Sequence, residues 1–216
     1  ERPAPLHNEN LPPTQRTALP HIRSLGVDSQ QDSIIMDAAS RRNLEITENL
    51  SGSTEHTLAW VMDRTTTSMG SRLLRRWLNQ PLRCHSTLNT RQSAISALIG
   101  DYGYETIQGD LKQIGDIERI LARVALKSAR PRDLSRLRDA LNTLPPLQSK
   151  LNDIESARIT ILKNEISEFP DLQDLLNSAV IENPPMLIRD GGVIAPGYDE
   201  ELDELRGLSE NAGQFL

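Results

Sequence analysis

The chain has 216 residues, with 24 Lys+Arg against 30 Asp+Glu and a formal net charge of −6. Such a length predicts one large or two small domains with enough buried surface to fold without staples. The single cysteine, Cys84, cannot close an internal disulfide, no Cys/His pair has zinc-ligand spacing, and no apolar run approaches the roughly 20 residues that cross a bilayer.

The opening Glu1-Arg2-Pro3-Ala4-Pro5 is not the basic-then-apolar start of a signal peptide, so the sequence reads as soluble and cytoplasmic. Apolar residues make up 37% and aromatics 3%, with 31 Leu against 7 Phe, Tyr and Trp. A Leu/Ile-rich core of this kind predicts a mainly α fold, not a sandwich or barrel.

In chain order, residues 1–32 carry five of the 13 prolines and little apolar periodicity, which predicts a linker or tail. From Ser33 to Ile46 the pattern predicts two short strands around a helical turn. In residues 68–79, Met69, Leu73, Leu74, Trp77 and Leu78 share one half of a helix, predicted to face the core, and Arg72, Arg75, Arg76 and Asn79 share the other. Ser86 is the predicted cap of a helix burying Leu88, Ile95, Leu98 and Ile99, ending at Gly100. A segment over 104–114 buries Ile107, Leu111 and Ile114. Asp116 caps a helix with Ile117, Ile120, Leu121 and Val124 on its buried face, and Pro131 opens another carrying Leu134, Leu137, Leu141 and Leu144. Pro145-Pro146 is predicted to interrupt that helix. Helices over 156–169 and 171–181 follow, then a hairpin turn at Asp190-Gly191-Gly192 between strands within 186–194. From Asp199 a last helix runs without a stop signal, with Leu202, Leu205, Ala212 and Leu216 on one narrow seam that needs a second helix.

Charge is uneven along the chain. Residues 64–100 hold six Arg and no acid, residues 119–138 hold seven Lys or Arg against Asp133, and residues 139–216 hold 15 acids against five bases. A basic middle and an acidic end can attract each other, or the middle can face phosphates.

Motifs that carry chemistry are few. There is no G-x-x-x-x-G-K-[ST] phosphate loop. His7, His21, His56 and His85 are scattered and fit loop or cap roles. Cys84 beside His85 invites a thiolate reading, but a short turn between helices is the more economical home for both. Glu200, Glu201, Asp203 and Glu204 sit where a helix starts, where the macrodipole favours carboxylates, so the sequence predicts no metal site there. Arg72, Arg75 and Arg76 are the candidate DNA-phosphate contacts, and an acid-paired or solvated face is the competing reading. No aromatic residue lies on that arc to stack a base.

Several strings together resemble the bacterial MutS mismatch-recognition family. They are Asp32-Ser-Ile-Ile-Met-Asp-Ala-Ala-Ser-Arg-Arg-Asn-Leu-Glu-Ile-Thr47, Thr66 to Leu78, Asp116 to Arg123, Ala129 to Leu134, Pro184-Pro185 through Gly192, and Gly197 to Leu202. The resemblance runs in order from about Thr14 to Leu216 and is to the core, or lever, domain. It implies that residues 1–32 are the end of a connector or linker and that residues 33–216 are the core domain, ending within a long helix before the DNA-gripping clamp. The mismatch-reading Phe-x-Glu string and the nucleotide loop do not occur in this sequence, so the resemblance assigns neither function to these residues. It implies a non-enzymatic transmission module without a cofactor of its own, ATP and Mg belonging to the parent's ATPase. Its implied partners are the other domains of a homodimeric parent and, through that parent, mismatched duplex DNA, with no membrane. The alternative is an autonomous helical domain that binds duplex-DNA phosphates through the basic 64–138 region.

Overall fold

The computed structural model describes residues 33–214, with side chains described as far as Ser209 except that of Asp101. The expected linker over 1–32, His7, His21, Leu216 and the side chain of Ala212 lie outside the described residues. Among the described residues ten α-helices follow one another: α1 Ala38–Asn43, α2 Leu58–Met62, α3 Ser68–Asn79, α4 His85–Ile99, α5 Gly103–Gln113, α6 Ile117–Ala125, α7 Pro131–Leu151, α8 Ala157–Glu165, α9 Pro170–Ala179 and α10 Glu200–Gln214. The mainly α class is as the composition predicts. Among the described residues the expected strands reduce to two isolated antiparallel bridges, Ser33 with Leu82 and Val180 with Ile194.

Helix α7 is the central beam. It buries ten of its 21 residues, including Leu137, Ala140, Leu141, Leu147 and Leu151. Leu147, Leu151 and Ala140 join Ala94, Ile107, Ile114, Ile154 and Ile159 in one apolar cluster. Leu137 and Leu141 join Ile120, Leu176, Ala179 and Val180 in a second. Ile120 is 1% exposed, a burial that contributes about 1.5–3 kcal/mol.

Pro145 and Pro146 lie inside α7 and do not interrupt it, contrary to expectation. The physical reason is visible one turn back. Pro145 has no N–H for the Leu141 carbonyl, and the side-chain Nε2 of Gln173 donates to that carbonyl instead at 3.0 Å. Asn142, four residues before Pro146, is exposed, so its carbonyl lies where water can serve it.

Other boundaries also shift. Cys84, not Ser86, occupies the N-cap position of α4, and Ala94 is its buried residue. Asp116 caps α6 by accepting from the Arg119 N–H. Gly191 and Gly192 take the positive φ of +72° and +63° that a tight turn needs. They do not join two strands of a 186–194 hairpin. Ile188–Asp190 forms a 3-10 turn, and the chain leaving the glycines pairs with the end of α9: Ile181 N–H donates to Val193 O at 3.1 Å and Ala195 N–H to Ala179 O at 2.9 Å.

Several expected core residues are outside. Leu73 is 48% exposed and Trp77 39%, and Ile95, Ile99, Leu121 and Val124 are exposed as well. Helical periodicity identifies an apolar stripe but not the element that covers it. The Trp77 ring is covered by the Arg91 guanidinium, 3.8 Å from its centroid, and not by the core.

Candidate functional site: arginine joints between the helices

The basic residues of the middle of the chain, read as a surface, build joints. Arg72 on α3 reaches the start of α6, where its Nη1 donates to Asp116 Oδ2 at 2.7 Å and its Nη2 to Asp116 Oδ1 at 2.8 Å. The same Nη2 donates to Glu118. A planar guanidinium matches a carboxylate at both ends, which fixes direction as well as distance. Hydrogen bonding to Arg72 holds the Asp116 carboxyl below its ordinary value, and the carboxylates push the guanidinium further up.

The second joint ties α6 to α7. Arg123 Nε and Nη2 donate to Asp133 Oδ2 and Oδ1 at 2.8 and 2.6 Å. Asp133 Oδ2 also accepts the Arg130 N–H at 2.9 Å, closing the first turn of α7. The Arg123 guanidinium keeps the Asp133 carboxyl below the usual carboxylate value.

The third joint lies under α7. Arg138 is 8% exposed, and its Nη1 donates to the carbonyls of Val180 at 2.9 Å and Ile181 at 3.1 Å. Its Nη2 donates to Glu182 O at 3.2 Å, and its Nε to Asp139 at 3.1 Å. One side chain therefore gathers three successive carbonyls beyond α9. The fourth joint seats α10: Arg206 Nη2 donates to Ile194 O at 2.9 Å and Nη1 to Asp203 at 3.0 Å. Ile194 is bridged to Val180, so the third and fourth joints meet on the same short pairing.

The sequence-predicted arc is thus divided. Arg72 is engaged by two carboxylates, Arg75 Nε lies 3.9 Å from Asp63, and Arg76 is exposed in the last turn of α3. Arg123, Arg138 and Arg206 were not singled out from the sequence. Arg138 carried a signal, because it sits between Leu137 and Leu141 within the apolar stripe of α7, where a charged residue needs buried partners.

Catalytic constellations do not form around these joints. Cys84 is exposed and its thiol meets Ser86 and Thr87, not His85. His56 packs its ring 5.0 Å from that of Trp60. Among the described residues, no group of three or more His, Cys, Asp or Glu is arranged to hold a metal, and no helix is long and apolar enough to cross a membrane. At the start of α10, Asp199 accepts the Leu202 N–H at 2.9 Å and Asp203 accepts the Gly197 N–H of the preceding turn. What the arrangement can do is hold five segments in fixed mutual geometry through directional, separable contacts. Residues 39–214 match the family described as MutS domain III.

Proposed function

The chain belongs to the MutS domain III family, a domain of DNA mismatch-repair proteins distinct from their ATPase, and from that premise we propose that it is a non-catalytic transmission member. Its task is to carry displacement between the parts that grip DNA and the part that hydrolyses ATP, while holding no cofactor itself. Nucleotide and magnesium belong, on this reading, to the parent's ATPase, and the partners of the chain are the remaining domains of a homodimeric parent.

The observation that supports the reading is the unbroken series α3–α6–α7–(180–195)–α10, in which each step is an arginine fork or a set of arginine–carbonyl bonds. Close-packed helices move as units and directional polar contacts change in discrete steps, which is what coupling between distant sites requires. An autonomous DNA-binding domain would keep its arginines for phosphates, whereas Arg72, Arg123 and Arg138 are paired with carboxylates of the chain itself.

Rigidity is testable by electron-spin distance measurement. With Cys84→Ser removing the native thiol, nitroxides are attached at Leu121→Cys on α6 and Leu205→Cys on α10, both positions being more than half exposed. A transmission member gives one narrow distance distribution. A broad distribution in the otherwise unsubstituted chain contradicts the proposal.

A further inference from the structure

Helix α3 is amphipathic and 12 residues long, yet it contains no buried residue. Both apolar clusters draw their buried members from Ala94 onward, and from the first three helices Met69 alone packs against them. The chain before α4 has instead a small core of its own: Ile46 is 5% exposed, Thr57 1% and Ala59 0%. Backbone bonds close that core, with Leu58 N–H donating to Glu45 O at 3.0 Å and Ala59 N–H to Ile46 O at 2.9 Å. Asp63 then fixes the angle between α2 and α3, accepting from the Thr65 hydroxyl at 2.6 Å and from the Ser71 hydroxyl. At its other end Ile34 N–H donates to Pro81 O at 2.8 Å, just beyond α3.

We infer that residues 33–79 form a separately opening body, latched to the helical bundle at the start of α6 by the Arg72 fork on Asp116 and Glu118. The inference rests on where the contacts lie and stands whether or not the chain transmits motion. Further ties include Met69, a partly buried contact, the exposed Arg91–Trp77 stack, and the pairing of Ser33 and Ile34 with Leu82 and Pro81. A 12-residue helix with no fully buried residue is marginal in water by itself, so the clasp adds to its order. The Arg72 and Glu118 side chains are 37% and 68% exposed, which leaves the clasp open to screening by salt. Asp116 is also the N-cap of α6, so the latch and the start of the next helix share one carboxylate.

The test is hydrogen exchange read by mass spectrometry on the full chain, its Arg72→Gln variant and its Arg72→Lys variant. Arg72→Gln is expected to accelerate exchange in peptides covering 68–79 by about tenfold or more, with peptides from α7 changing far less. Arg72→Lys, which keeps the charge and loses the fork, falls between the two. Adding about 0.5 M NaCl to the unsubstituted chain moves α3 in the same direction. An unchanged α3 in Arg72→Gln, or equal acceleration of α3 and α7, overturns the latch, and so does an Arg72→Lys variant indistinguishable from the unsubstituted chain. Exchange in α10 is not part of this criterion; it reports on transmission alone, so the two readings fail separately.

Discussion

Replacing Arg138 with Met removes the donors to Val180, Ile181 and Glu182 while keeping most of the aliphatic stem. Val180 is 4% exposed, so its carbonyl is left without a partner, at a cost of about 1–3 kcal/mol. Ile181 is half-buried and Glu182 exposed, so their carbonyls regain water and each loses about 0.5–1 kcal/mol. Methionine fills most of the vacated volume, and the sum is about 3 kcal/mol. Urea unfolding followed by far-UV circular dichroism measures it, with the midpoint expected to fall and the slope to stay constant. Asp139→Asn is the control: its side chain is 57% exposed, and the substitution should cost under about 0.5 kcal/mol. An Arg138→Met variant losing less than about 1 kcal/mol, or no more than Asp139→Asn, would refute the claim that the carbonyls beyond α9 depend on this guanidinium.

Acid should loosen the joints in a defined direction. Asp116 and Asp133 have carboxyl pKa values held below the ordinary 3.8 by Arg72 and Arg123, so the stability they contribute is complete above 3.8 and is lost as pH falls through their lower folded values. Urea midpoints below about pH 4 should therefore fall less steeply in the Asp116→Asn, Asp133→Asn double variant, and an identical slope would contradict the assignment. Cys84, whose thiol is lowered to about 7 by hydrogen bonds from Ser86 and Thr87, should reach half-maximal alkylation by iodoacetamide near that pH, and Ser86→Ala with Thr87→Ala should move the midpoint upward. Fluorescence anisotropy with duplex DNA at two salt concentrations should show weak binding with a logarithmic salt slope under about 2 in magnitude; a slope of about 6 or more would favour the autonomous phosphate-binding reading.

The helices were legible in the sequence because their signals are local. Asp116 at an N-cap, Pro131 in a first turn and the Leu134–Leu137–Leu141 spacing each act within a turn or two of the chain, and each is where expected. Coverage was not legible, because it depends on residues far along the chain. Leu73 and Trp77 form a clear stripe that stays exposed, while the polar arc carrying Arg72 turns to Asp116, 44 residues away. The same distance effect explains Pro145: its break is prevented by Gln173, whose amide no local pattern connects to Leu141. The hairpin at Gly191-Gly192 failed for a related reason. The glycines bend the chain as their positive φ requires, and the partner of Ile194 is Val180 on the far side of the 3-10 turn. Of the candidate site, the family strings marked both partners of the first two joints without indicating that they touch. For α10, Leu205 of the expected seam is 57% exposed and Leu202 is half-buried, while Leu216 and the side chain of Ala212 lie outside the described residues.

Transmission from α3 to α10 can be read from a cycle over two of the joints. Exchange rates of amides 201–207 in α10 are measured in the unsubstituted chain, in Arg72→Gln, in Arg123→Gln and in the double variant. Remote sites that act independently add within about 0.3–0.5 kcal/mol. If α3 and α10 are coupled through the joints, Arg72→Gln shifts the opening free energy of α10 by more than about 0.5 kcal/mol, and the shift disappears once Arg123→Gln has cut α6 from α7. An α10 indifferent to Arg72→Gln in both backgrounds, or a shift of the same size in both, would contradict it.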